Sequence, residues 1–228
     1  MTTAPAAPAT VHLAQLRLQT TRRHTAVYAD LTDATKLHHR IQSLFPDALG
    51  PAPRAATNTL YRLERDRDGA TLLIQSTLPI NRNALPDGYT DGDIHYRDLT
   101  PLLAWITTGR VVRYRIDANP IKSIHVPGQR GTRVPLAGED AVAWWHTRAA
   151  TAGLDIASAL DIPQPPIDGD RGQDGHGKPN KRLRLRAIRF EGVATVTDPD
   201  ALRTAITTGI GQGRAYGLGL LSIAPHRP

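Results

Sequence analysis

An α+β chain of two tandem βαββαβ units is the fold this 228-residue sequence predicts. Three observations carry it. Short runs alternate apolar and polar residues as half-buried strands do, two helices open on Asp caps, and the order of elements in the first half recurs in the second.

Val11–Leu18 alternates Val and Leu with polar partners and reads as the first strand. A basic, polar loop follows from Thr20 to Tyr28, with Arg22, Arg23 and His24. Asp33 caps a helix over 33–45 whose residues Ala34, Leu37, Ile41, Leu44 and Phe45 form one stripe, and Pro46 stops it. Leu60–Arg65 and Thr71–Ser76 flank Arg67-Asp68-Gly69, a hairpin signal. Residues 78–100 carry Pro, Gly, Asp and Asn without a legible element.

The second half opens on the strand Arg110–Ile116, with Val112, Tyr114 and Ile116 on one face and Arg113 and Arg115 on the other. Gly138–Ala152 reads as a helix carrying Ala141, Val142, Trp144, Trp145 and Arg148. A Pro, Gly and Asp-rich insertion is expected between Asp161 and Lys181. Then come the strand Ile188–Thr197, a helix capped by Asp198 with Pro199 at its first position, and a strand over Leu218–Ile223. Such an order is the split, ferredoxin-like arrangement. Residues 1–10 read as a disordered tail, 11–105 as the first unit and 106–228 as the second.

Composition narrows the chemistry. Lys plus Arg number 28 against 21 Asp plus Glu, a net charge of +7 that favours an anionic partner such as nucleic acid. There is no cysteine, which excludes disulfides, thiolate nucleophiles and Cys-ligated zinc. The nine histidines lack ligand spacing, so neither a metal site nor a cofactor is expected. No apolar run approaches the roughly 18 residues of a membrane span. The first ten residues lack the pattern of a signal peptide, so a cytoplasmic protein without a membrane partner is expected.

Two stretches stand out as binding elements. Residues 171–189 hold seven basic residues and one acidic residue, and Arg182, Arg184 and Arg186 share one strand face whose parity turns apolar at Ile188 and Phe190. That switch suggests a basic ribbon that projects beyond the sheet before joining it. Residues 209–219 hold five glycines with Arg214 among them, between a helix and an apolar run. Main-chain N–H groups bared by glycine suit contact with phosphates, and Arg214 would add charge. A dinucleotide fingerprint would have its glycines between a strand and the helix that follows, the reverse of this order, and a Walker A loop would end in Gly-Lys-Ser/Thr.

The run Gly209 to Pro225, ending Gly-Leu-Gly-Leu-Leu-Ser-Ile-Ala-Pro, resembles the signature of the CRISPR-associated RNA-processing endonucleases, most closely the CasE type that serves the Cascade complex. Arg115–Ile124 and Phe190–Asp198 fit the same type, and the resemblance extends over essentially the whole chain after about residue 10. It implies two ferredoxin-like domains, a CRISPR repeat RNA hairpin as ligand and other Cascade subunits as partners. Metal-independent cleavage is implied as well, in which the 2′-hydroxyl attacks its own 3′-phosphate. The family's histidine lies eight residues before the proline of Leu-Phe-Pro, which is His38 here, while His39 points about 100° away on the helix.

RNA contact is expected at Arg113, Arg115, Lys122, Lys178, Lys181, Arg182, Arg184 and Arg186, and at Gly209, Gly211, Gly213 and Arg214. Several members place a tyrosine three residues before the histidine, where this chain has Thr35. Tyr28 or Lys36 would then have to substitute, and the general acid is left open. A noncatalytic RNA-binding subunit on the same fold is the alternative.

Overall fold

The computed structural model describes residues 10–21, 24–49, 53–124, 132–173 and 182–227. Its first unit comprises β1 (His12–Leu18), α1 (Thr25–Thr32), α2 (Ala34–Gln42), α3 (Pro53–Ala56), β2 (Leu60–Asp66), β3 (Gly69–Ser76) and β4 (His95–Asp98). A short helix α4 (Thr100–Trp105) leads to the second unit. That unit comprises β5 (Val111–Ala118), β6 (Ile121–Ile124), β7 (Thr132–Pro135), α5 (Glu139–Thr151), β8 (Leu154–Gly169), β9 (Leu183–Val196), α6 (Pro199–Thr208) and β10 (Ser222–Pro225).

Each unit has an antiparallel four-stranded sheet, ordered β2-β3-β1-β4 and β10-β5-β9-β8. With strands counted within each unit, both orders are 4-1-3-2, as in the expected ferredoxin-like arrangement. The second unit has both crossover helices. In the first, β3 and β4 are joined by an irregular segment with one 3₁₀ turn (Arg82–Ala84), and buried Ile80 and Tyr89 cover the sheet in place of a helix.

Several expectations are corrected. Part of the supposed loop Thr20–Tyr28 is the start of α1, which His24 caps by accepting from the Val27 amide. Residues 78–100 contain the 3₁₀ turn and the edge strand β4. The insertion expected from Asp161 is strand β8 as far as Gly169. It tolerates Pro163, Pro165 and Pro166 because β8 is an edge strand, and because its register breaks between Gln164 and Ile167 where the Pro pair lies. Residues Leu218, Leu220 and Leu221 are buried without strand pairing, and β10 begins only at Ser222.

Two cores result. Leu16, Leu18, Leu72 and Ile74 pack against Leu37, Ile41 and Phe45 in the first. Val112, Ile116 and Phe190 pack against Trp145, Leu202 and Ile206 in the second, with the Trp145 and Phe190 rings stacked 5.6 Å apart.

Polar contacts join the units. Arg62 of β2 is buried and donates to the Leu220 carbonyl at 3.1 Å, while its guanidinium pairs with Glu64 at 2.9 Å. Arg115 of β5 bridges Glu64 and Glu191, each at 3.1 Å, and Gln75 donates to the Ile206 carbonyl at 2.7 Å.

Candidate active site and basic hairpin

Helix α2 carries the candidate histidine. Asp33 accepts from the amides of Thr35 (2.8 Å) and Lys36 (3.3 Å), satisfying donors that the first turn would leave open. The same carboxylate accepts from the Asp170 amide at 3.2 Å, which ties the end of β8 to the start of this helix. Beneath α2, buried Asp30 accepts from Arg40 and from the Tyr89 hydroxyl, each at 2.9 Å. Burial beside that carboxylate pushes the Tyr89 phenol far above its ordinary pKa, so it stays a donor. Leu37 and Ile41 face the core, which leaves His38 half-buried at the helix flank and His39 exposed.

The glycine-rich loop meets this helix. His38 and Tyr216 have ring centroids 5.6 Å apart, a contact that no sequence pattern flagged. Tyr216 closes a 3₁₀ turn (Arg214–Tyr216) between Gly213 and Gly217, both left-handed. Next to the turn, the Tyr61 hydroxyl donates to the Ala215 carbonyl at 3.0 Å. Tyr216 also lines a cleft of about 340 Å³ bounded by Asp30, Leu37, Arg65, Pro165 and Pro166. The cleft therefore lies among α1, α2, β2 and the outer part of β8.

The loop's glycines have a local reason that the sequence did not reveal. Gly209 adopts φ +78°, and a Cβ there would lie 2.7 Å from Leu60 of the other unit. At Gly219 (φ +85°) a Cβ would lie 2.5 Å from the Ile210 carbonyl oxygen, whose own amide bonds back to Gly219. Close packing of the loop on its own chain thus accounts for these glycines. Arg214 folds back to donate to the Thr208 carbonyl at 2.8 Å, capping α6.

The hairpin follows the expectation more closely. β5 pairs with β9 only as far as Ala118–Ile188, so residues 183–187 of β9 form a two-stranded ribbon with β8 alone. Arg182, Arg184 and Arg186 are exposed, while Leu183 and Ala187 are buried. The Arg184 side chain is 80% exposed, and its carboxylate neighbour Asp168 is 3.9 Å away. Arg186 reaches the Leu136 carbonyl at 3.4 Å, which places the ribbon beside β7. Lys122 is exposed on β6, and Arg133 of β7, unnoticed in the sequence, is exposed too. Lys178 and Lys181 lie outside the described residues.

Arg115 lies at the junction of the units, its side chain 40% exposed. Its guanidinium is committed to Glu64 and Glu191 between the units, so its charge is neutralised there and it acts as a clamp. Arg113 is exposed and lines a separate groove of about 600 Å³ with Leu160, Glu191 and Val193. His38 does not border that groove.

Two ferredoxin-like units with an arginine-bearing hairpin, and a glycine-rich turn set against a helical histidine, define the class: a double-ferredoxin protein with a candidate nucleic-acid site. The chain belongs to the family described as "CRISPR associated protein", whose model matches residues 11–225. It is 28% identical over 209 residues to the CRISPR-associated endoribonuclease Cse3 of Thermus thermophilus, covering 88% of this chain and 94% of that protein. It is also 28% identical over 205 residues to the CRISPR system Cascade subunit CasE of Escherichia coli K12, covering 85% and 92%. A solved structure of the CRISPR endoribonuclease Cse3 bound to a 19-nucleotide RNA superposes with a TM-score of 0.78 at 27% identity, covering 94% of this chain and all of that one.

Proposed function

We propose that this chain is an endoribonuclease that binds the hairpin of a CRISPR repeat and cuts the precursor transcript into guide RNA, staying bound as a Cascade subunit. The observation that carries this reading is likeness to Cse3 and CasE along nearly the whole of each chain. The site is compatible with it: an exposed arginine ribbon, and a histidine at the rim of the interface between the units.

In the proposed reaction the 2′-oxygen bonds to the adjacent phosphorus and the bond from phosphorus to the 5′-oxygen breaks. A cyclic phosphate and a 5′-hydroxyl result. One proton must leave the 2′-hydroxyl and one must reach the 5′-oxygen. His38 serves one of these transfers, since imidazole titrates near neutrality. Because nucleophile and phosphate belong to the same nucleotide, no second reactant has to be brought in. Arg182, Arg184 and Arg186, with Lys122, hold the stem by shape and phosphate charge, because the major groove of A-form RNA is too deep and narrow for base readout. The chain works in the cytoplasm, and among the described residues no helix is long and apolar enough to cross a membrane.

The test uses a repeat RNA in which only the nucleotide 5′ of the cut carries 2′-deoxyribose. The wild-type protein should cut the all-ribose RNA in excess EDTA and fail to cut the deoxy RNA, which should still compete for binding. Efficient cutting of the deoxy RNA would rule out internal attack.

A further inference from the structure

We propose that Tyr216 is the positioning residue for His38, holding the imidazole by ring contact in the orientation that proton transfer requires. The proposal rests on the endoribonuclease reading and deepens it. The resemblance leads one to look for a phenol one helical turn before the histidine, where this chain has Thr35. Thr35 packs against Gly169: a Cβ there would lie 2.6 Å from its Oγ1, and the hydroxyl is buried without a hydrogen-bond partner among the described residues. Lys36 and Tyr28 are exposed, Tyr28 at 68%. Tyr216 approaches His38 from the glycine-rich loop, with ring centroids 5.6 Å apart and planes inclined at 56°.

Such a contact can orient a ring only if the tyrosine is itself held. Gly213 (φ +84°) and Gly217 (φ +83°) pin both ends of its 3₁₀ turn, and the Tyr216 amide donates to the Gly213 carbonyl at 2.8 Å. Behind the turn, a Cβ on Gly217 would lie 3.0 Å from the Tyr61 ring. The tyrosine is thus braced against β2 of the first unit while its ring leans on α2 of the same unit. A loop from the far end of the chain fixes a side chain near its start. Small displacements of a reacting group are costly, a shift of about 1 Å reducing rate by roughly 10²-fold.

The experiment compares Tyr216→Phe and Tyr216→Leu, each alone and with His38→Ala, in single-turnover cleavage of repeat RNA by saturating protein. Tyr216→Phe keeps the ring and should cut within about threefold of wild type, while Tyr216→Leu should cut roughly 10- to 100-fold more slowly. Hairpin affinity and melting midpoint should be close to wild type in both. In the His38→Ala background, Tyr216→Leu should cost nothing further, because its effect passes through the imidazole. Wild-type cleavage by Tyr216→Leu would overturn the proposal. So would an equal loss with and without His38, or a Tyr216→Phe rate as low as that of Tyr216→Leu. If the wild-type chain itself does not cut, the endoribonuclease reading fails and this proposal falls with it; cutting that ignores Tyr216 sinks this proposal alone.

Discussion

Two groups of arginines, one between the units and one on the hairpin, are the same residue type and differ in everything around them. Arg62, Arg115 and Arg189 sit opposite carboxylates: Glu64 for the first two, Glu191 for the second, and Asp117 for the third at 2.7 Å. Arg182, Arg184 and Arg186 are exposed, and the carboxylate nearest to Arg184 is 3.9 Å away. The first group is paired with the protein's own carboxylates, and the second presents its charge to solvent. A net charge of +7 therefore says little about where an anion binds until paired guanidinium groups are set aside.

The largest loss of stability is expected at Arg62. Its side chain is 3% exposed, and removing it leaves Glu64 with one partner fewer and the Leu220 carbonyl without its donor. Arg62→Ala should destabilise the fold by about 3–5 kcal/mol in denaturant melts. RNA affinity of the folded fraction should change little. A loss of RNA affinity without a loss of stability would move Arg62 into the binding group.

The hairpin should behave in the opposite way. Replacing Arg182, Arg184 and Arg186 together by Ala should weaken binding of hairpin RNA and flatten its dependence on salt, since fewer counterions are released. Stability should change by less than about 0.5 kcal/mol per site, as for exposed residues generally. Binding as tight as wild type across a salt titration would make the ribbon a solvated edge.

A pH titration sharpens the contrast. Burial pushes the Glu64 carboxyl up, but Arg62 and Arg115 outweigh it and hold its pKa below the usual carboxylate range. A carboxyl lowered in the folded state stabilises the fold above its unfolded pKa of about 4.3 and loses that contribution as pH falls through the folded value. The advantage of wild type over Glu64→Gln in melting midpoint should be full near neutrality and shrink below about pH 4. A difference independent of pH would mean that Glu64 is not charged in the clamp. The smallest effect is expected at Arg113, exposed beside the separate groove, where Arg113→Ala should shift stability by under about 0.5 kcal/mol.

What the sequence made legible follows from local rules. Helices α2 and α6 were readable because Asp33 and Asp198 cap them with side-chain bonds that the structure contains. The β2–β3 hairpin was readable from Asp68-Gly69 between alternating runs. Helix α1 was missed because a histidine is an uncommon cap and its polar flank looks like a loop. β8 was missed because its prolines suggest a break, which an edge strand tolerates. Arg115 and Arg184 look alike in sequence, since pairing with Glu64 depends on how two units dock. The contact between His38 and Tyr216 was illegible for the same reason, as it joins opposite ends of the chain.

If His38 cuts RNA that other residues hold, cleavage and affinity separate at this one side chain. Wild type and His38→Ala would be compared on the same precursor repeat RNA for affinity and for single-turnover cleavage. His38→Ala should bind within about twofold of wild type and cut roughly 10²- to 10⁴-fold more slowly, with His39→Ala near wild type in both. Cleavage by His38→Ala at the wild-type rate would remove His38 from the cutting step.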